Sequence, residues 1–242
     1  MRSALVLAVM FALFCTLAGA QDEHPGWEPE PGDLDPQQNI ALGKTVSYAP
    51  APNYRLTAQE DTDPVDLTDG VLSDHHRGHL WFQSKCVGWN YGGRANLSLD
   101  LGQVEPIREI AIRIQGGAPS TGVSTPVWMA AVVSDDGETW RRVGEYSTFD
   151  HGDDAEFDVP RYEGEGWVHR FRFDELETRG RYVGLSLYGG GLTVADEMYV
   201  FRGDHDPDAC DIAALPVMDF STSRPQMYLH KPYLAFTTNV TT

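Results

Sequence analysis

The chain has 242 residues, of which 36 are acidic and 18 are Lys or Arg, so its formal net charge is −18. A surface with this charge repels phosphate groups, which argues against nucleic acid and anionic membranes as partners. The length leaves room for one sizeable domain with tails.

Residues 1–20 are typical of a cleaved secretory signal. One early Arg precedes an apolar run over residues 4–17, and Ala18 and Ala20 form an A-x-A cleavage pattern. The run is shorter than the ~20 apolar residues that a membrane-spanning helix needs, although a short anchor is the alternative. We therefore expect a mature protein that is secreted or periplasmic.

The tails of the mature chain differ in composition from its middle. Residues 21–38 are rich in Pro and acidic side chains and poor in aliphatic ones, which predicts a linker. The ordered domain is predicted over residues 39–203. Residues 204–242 are interpreted as a second linker or as the start of a missing downstream domain.

The first part of the domain predicts a short strand within residues 39–50 and then a long polar loop. The stretch from Asp66 to Gly102 follows, and its end places Leu97, Leu99 and Leu101 on one face of a half-buried strand. The rest of the domain alternates apolar and polar residues in short runs separated by turns. The further predicted strands are Ile107–Gln115, Val127–Ser134, Thr139–Tyr146, Val168–Phe173, Tyr182–Tyr188 and Met198–Arg202. Such a pattern without a convincing amphipathic helix predicts an all-β fold, an antiparallel β-sandwich.

Two cysteines, Cys86 and Cys210, remain after signal removal. An exported pair can form a disulfide, and closing so long a loop would stabilise the fold by about 4 kcal/mol where the geometry allows it. Two separate thiols are the alternative, and the sequence leaves both open.

Several motifs together resemble the coagulation-factor type C, or discoidin-like, family. They are NIALGK, the Asp69-Gly70 turn followed by Trp81, LSLDLG, the SDDGETW hairpin, RYVGLSLYG and ADEMYVFRG. The resemblance implies a galactose-binding-like jelly roll of eight strands. It also implies a secreted, non-catalytic carbohydrate-binding module, the N-terminal part of a larger glycan-processing protein with a possible downstream catalytic domain.

The turn at Asp69-Gly70 predicts a structural ion, because a carboxylate stands beside carbonyl groups that no strand ladder uses. The resemblance implies calcium, bound by side chains and carbonyls from the turn and from the last strand. The implied side chains are Asp69, Asp74 and Glu197, and the implied carbonyls are those of Asp66, Val71 and Asp196. Asp74 stands where the family often has Thr, and an acidic turn that binds nothing is the alternative.

Aromatic and polar residues in two loops predict a glycan site. Trp89, Asn90 and Tyr91 stand among glycines in one loop, and Tyr54 and Arg55 stand in another. A ring beside an amide or guanidinium suits a sugar, which has an apolar face and a rim of hydroxyls. The alternative for Trp89 is that its ring packs inward.

Other functions have weaker support in the sequence. A stand-alone glycan-degrading enzyme would need paired carboxylates, for which the acidic segment from Asp150 to Glu165 is the candidate. An adhesion module that binds protein or lipid is a further alternative, and net charge argues against acidic lipid. His75, His76 and His79 lack the helical H-E-x-x-H frame and are interpreted as a solvated loop.

Overall fold

The structure is a computed structural model that describes residues 28–57, 61–73, 83–90, 93–116, 122–147, 167–189 and 191–220. Eight strands lie in these ranges, and all pairings between them are antiparallel. They are β1 (Val46–Ala49), β2 (Val87–Trp89), β3 (Gly93–Gly116), β4 (Trp128–Ser134), β5 (Arg141–Ser147), β6 (Trp167–Phe173), β7 (Thr178–Gly189) and β8 (Thr193–Arg202). Helical structure in the described ranges is limited to short 3-10 turns at Pro207–Ala209 and Ile212–Ala214, and no helix there is long and apolar enough to cross a membrane.

The long strand β3 belongs to both layers of the sandwich. Its first half pairs with β1 and β7, and its second half pairs with β6 and β8. This gives a front layer in the order β1-β3-β7-β4-β5 and a back layer in the order β6-β3-β8-β2. The register shifts between Asp100 and Glu105, around Gly102 with its positive φ of 93°. The sequence predicted two separate strands here, because this irregular stretch interrupts the apolar alternation.

The core lies between the layers and confirms the predicted β-sandwich. Leu97 and Leu99 point inward from the front half of β3, and Ile110, Ile112 and Ile114 point inward from its back half. The layers touch through the rings of Tyr146 on β5 and Phe171 on β6, whose centroids are 5.4 Å apart. Such alternation buries one face of each layer.

The N-terminal segment from Glu30 to Gln38 is part of the folded domain, which corrects the prediction of a linker over residues 21–38. Asp33 is buried and pairs with Arg170 at 2.9 Å, while Glu30 pairs with Arg172. The Asn39 side chain donates to the Asp33 carbonyl at 2.8 Å. Ion pairs and hydrogen bonds hold this segment, so its low aliphatic content was a misleading signal. Residues 21–27 lie outside the described residues.

The C-terminal segment over residues 216–220, here called the strap, crosses the outer face of the front layer. The Met218 amide donates to the Trp140 carbonyl at 2.9 Å, and the Phe220 ring packs on Trp140 with centroids 4.4 Å apart. Arg94 donates to the Asp219 carbonyl at 2.9 Å. The prediction that the domain ends at 203 is therefore corrected as far as Phe220. Residues 221–242 lie outside the described residues, as do residues 1–20.

Cys86 and Cys210 are free thiols in the structure. Cys86 is buried, with its Sγ 3.0 Å from Oγ of Ser73, whereas the partly exposed Cys210 thiol donates to the Asp206 carbonyl at 3.7 Å. The sequence left open a disulfide or two separate thiols, and the structure has two separate thiols.

Candidate functional site

The two loops that the sequence predicted as a binding surface lie side by side at one end of the sandwich. The amides of Asn53 and Tyr54 both donate to the Gly88 carbonyl, at 3.0 and 3.1 Å. The Asn90 amide in turn donates to Oδ1 of Asn53 at 2.7 Å. We call this surface, formed by Asn53–Arg55 and Gly88–Asn90, the loop end.

Trp89 takes the inward orientation, which corrects its prediction as an exposed ring platform. Its side chain is only 7% exposed and belongs to the central core, where it packs on Tyr48 with centroids 5.7 Å apart. The indole nitrogen donates to the Pro50 carbonyl at 3.1 Å. The physical reason is the short strand β2, which pairs Trp89 with Thr193 of β8 and so fixes the ring against the sheet.

The other predicted ligand residues have mixed environments. Arg55 is exposed and Asn90 is half-buried at the loop end. Tyr54 is half-buried, and its ring packs against the small cluster that contains Leu192 and Val194. Tyr91 lies outside the described residues.

A small cavity of about 50 Å³ opens at the loop end. Its walls include Asn53, Asn90, Arg94 and Thr193, together with part of Trp89. A cavity of this size holds a water or two rather than a sugar, so a glycan would contact its polar rim.

Asn53, Arg94 and Thr193 line the loop-end cavity, and the sequence did not single them out. Asn53 directly precedes the predicted Tyr54, so its place in the same loop was the available signal. Arg94 is almost completely buried, and its Nε donates to Oγ of Ser186. Its position depends on the register of β3 with β7, which the sequence does not show.

The acidic turn, residues 66–71, meets β8, the last strand of the domain. Gly70 has a φ of 74°, which allows the tight turn, and its amide donates to Oε1 of Glu197 at 3.3 Å. The Val71 amide donates to Oδ1 of Asp69 at 2.8 Å. Farther along, the Ser73 amide donates to Oδ2 of Asp196 at 3.1 Å. Asp69 and Glu197 are thereby held on facing segments.

Glu197 is in an unfavourable environment for a charged carboxylate. It is completely buried, and its Oε2 is a buried oxygen without a hydrogen-bond partner. Burial, with the nearby carboxylates of Asp196 and Asp69, raises the pKa of Glu197 to about 9. Burial also raises the pKa of Asp69, although the hydrogen bond from the Val71 amide acts in the opposite direction. Burial raises the pKa of Asp66 to about 6. A bound cation would stabilise the charged forms.

The remaining predicted calcium ligands differ in burial and in whether their oxygen atoms already have partners. The Asp196 side chain is engaged by Arg113 in a bidentate pair at 2.9 and 3.1 Å, which leaves its carbonyl for the implied role. Asp66 is buried and Val71 is exposed, while Asp74 lies outside the described residues. In the described part of the chain, no cluster of three His, Cys, Asp or Glu side chains is arranged to hold a metal. The turn and Glu197 fit a hard cation only with carbonyl oxygens as further ligands.

No protein-family model and no curated protein matches this chain. Among solved structures, a Streptococcus pneumoniae fucose binding module is 18% identical with a TM-score of 0.44, covering 70% of this chain and 98% of its own. The Clostridium perfringens module CpGH89CBM32-6 is 13% identical with a TM-score of 0.40, covering 69% and 100%. A mutant of the lectin binding domain of Lectinolysin, complexed with Lewis b, is 18% identical with a TM-score of 0.43, covering 69% and 96%. These similarities do not by themselves assign a ligand to this chain.

Proposed function

We propose that this chain is a secreted, non-catalytic glycan-binding module that uses the loop end. The observation that carries the proposal is the bond from the Asn90 amide to Asn53, which joins two polar loops on a rigid sandwich. A sugar is recognised by amide and guanidinium groups in fixed positions, since each hydroxyl needs a correctly placed partner. Asn53, Asn90 and the exposed Arg55 supply such groups.

The chemistry of the loop end supports binding rather than hydrolysis. The described residues that line its cavity carry amide, hydroxyl, indole and guanidinium groups and no carboxylate. Glycoside hydrolysis in most families needs two carboxyl groups about 5 to 10 Å apart across the scissile bond. The acidic segment from Asp150 to Glu165, the candidate for such a pair, lies outside the described residues.

The proposal includes a structural calcium ion at the acidic turn. Asp69, Asp74 and Glu197 would provide charged side chains, and Asp66, Val71 and Asp196 would provide carbonyls. The unpartnered Oε2 of Glu197 supports this, because a buried carboxylate oxygen without a donor is otherwise costly. The ion would neutralise the turn and hold it against β8.

The test is a glycan array with the full chain, followed by analysis of the bound glycan. We expect retention of at least one glycan and no change in its mass after prolonged incubation. Cleavage of the glycan that a single carboxylate-to-amide change abolishes would support the enzyme alternative. Retention by anionic liposomes, with no glycan bound on the array, would support lipid adhesion instead.

A further inference from the structure

The outer face of the front layer carries a groove of about 570 Å³ that is separate from the loop end. Its floor is formed by β1 and the first half of β3, one wall by the strap, and one end by the β4–β5 hairpin. The groove shares no lining residue with the loop-end cavity. We propose that this groove is a second binding site, and that its ligand is a neutral sugar.

The floor of the groove presents hydroxyl groups to solvent. Ser47 of β1 lies directly opposite Ser98 of β3, and the alternation of both strands points these side chains away from the core. Neither hydroxyl bonds to another residue that the structure describes. Two adjacent hydroxyls on a rigid sheet can each donate and accept, which matches the hydroxyl rim of a sugar ring.

The wall of the groove covers the next strand. Gly184 of β7 pairs with Ser98, and a Cβ at Gly184 would lie 2.6 Å from Cζ of Phe220. Phe220 therefore lies over β7 where no side chain intervenes, and it contributes to the groove with Trp140. Phe220 and Trp140 are each only 8% exposed, so the apolar side chain of this wall that a sugar ring can contact is Val217, which is 58% exposed.

Hydrogen bonds from the sheet hold the wall in place. Asn96 donates to the Phe220 carbonyl, and the Met218 amide donates to the Trp140 carbonyl at 2.9 Å. Arg94, itself bonded to Ser186, holds the carbonyl of Asp219. A wall fixed at successive positions makes the groove a preformed site, which reduces the entropy lost on binding.

Charge selects a neutral ligand. Glu138 brings an exposed carboxylate to the groove, and none of the described residues that line it is Lys, Arg or His. A sulfated, phosphorylated or otherwise anionic sugar would be repelled and would find no cationic partner. The volume of about 570 Å³ lies within the range of small-molecule sites, roughly 300 to 1,000 Å³.

The groove is tested by NMR titration of the full chain carrying Asn53→Ala, which weakens the loop end and leaves the groove intact. The probes are neutral pentasaccharides of glucose, galactose and N-acetylglucosamine, with a sulfated pentasaccharide as the comparison. We expect at least one neutral probe to shift the amides of Ser47, Ser98 and Thr139 and the Trp140 indole. The sulfated probe should leave them unmoved.

Ser98→Arg, added to the same chain, fills the groove from its floor and should weaken the neutral probe at least tenfold. Ser84→Arg adds the same side chain on an exposed turn and should have no effect. If Ser98→Arg fails to fold, Ser47→Arg on the exposed edge strand replaces it. The proposal is overturned if no neutral probe shifts these amides, if the sulfated probe shifts them equally, or if a folded groove variant binds as before. Loss of the loop-end site alone would leave the groove result unchanged, so the two proposals fail separately.

Discussion

The amide of Gly70 lies 3.3 Å from Oε1 of Glu197, although the two residues are 127 positions apart in the chain. This bond joins the acidic turn to β8, the last strand of the sandwich. Burial, followed by the carboxylates of Asp196 and Asp69, raises the pKa of Glu197, so the contact brings together groups that repel one another when charged. The free energy of unfolding of the domain should therefore depend on how the negative charge of these carboxylates is neutralised.

Calcium should stabilise the full chain through this contact. At a concentration 100 times its dissociation constant, the ion would add roughly 2.7 kcal/mol to the free energy of unfolding. Glu197→Gln should remove most of the response, because the amide keeps the shape and loses the charge. Thermal unfolding with calcium and with chelator measures this, and Glu177→Gln on the surface is the control. If chelator and calcium give the same melting curve for the natural chain, the acidic turn is not a calcium site.

The pH dependence of stability in chelator follows from the raised pKa of Glu197. The folded state keeps this proton up to a pKa of about 9, whereas the unfolded state loses it near 4.5. Between these values the folded state binds more protons, so the free energy of unfolding should fall as pH rises. Urea unfolding at pH 5 and at pH 8.5 measures the fall. Glu197→Gln should reduce it, and an undiminished fall in that variant would assign the effect to other groups.

Trp89 should contribute to stability rather than directly to ligand contact. Its ring is 7% exposed in the core, so Trp89→Ala should cost roughly 3 to 5 kcal/mol of unfolding free energy. Leu56→Ala, at a side chain that is 55% exposed, should change it by less than about 0.5 kcal/mol. Denaturant unfolding of both variants makes the comparison. A Trp89→Ala protein as stable as the natural one would mean that the ring faces solvent.

Arg113 should contribute more to the free energy of unfolding than an arginine in an exposed ion pair does. Arg113 and Asp196 are both buried at 2.9 Å, and Arg113→Met would leave the Asp196 carboxylate without its partner. We expect a loss of roughly 3 to 5 kcal/mol from breaking such a pair on one side. Arg181→Met breaks the exposed pair with Asp100 and should have little effect, because water and salt screen it. Similar losses in both variants would contradict this account of the buried pair.

The sandwich was predictable because its strands alternate strongly. Leu97 and Leu99, and then Ile110, Ile112 and Ile114, repeat every second residue and identify inward faces without any knowledge of pairing. Strand β2 was missed because it has three residues, too few for alternation to be recognised. That omission also explains why Trp89 was expected at the surface.

The segments outside the predicted domain were misjudged for a different reason. Asp33 and Arg170 are 137 residues apart, and their ion pair is invisible to a reading of local composition. The position of the strap likewise depends on distant contacts. Phe220 packs on Trp140, and the side chains of Arg94 and Asn96 donate hydrogen bonds to carbonyls of the strap. The proximity of Asp69 and Glu197 came from the resemblance to a family, because local patterns do not show which distant carboxylates meet.

Asn53 tests most directly whether the loop end binds a glycan. Its Oδ1 accepts the Asn90 amide at 2.7 Å and its side chain lines the cavity, while the residue itself is exposed. The measurement is calorimetric titration of an array-selected glycan into the full chain and into Asn53→Ala. Gln37→Ala, at an exposed residue that does not line the cavity, is the control. We predict at least tenfold weaker binding for Asn53→Ala, unchanged binding for Gln37→Ala and similar melting temperatures for both. Equal affinity in the two variants, with both folded, would contradict a glycan site at the loop end.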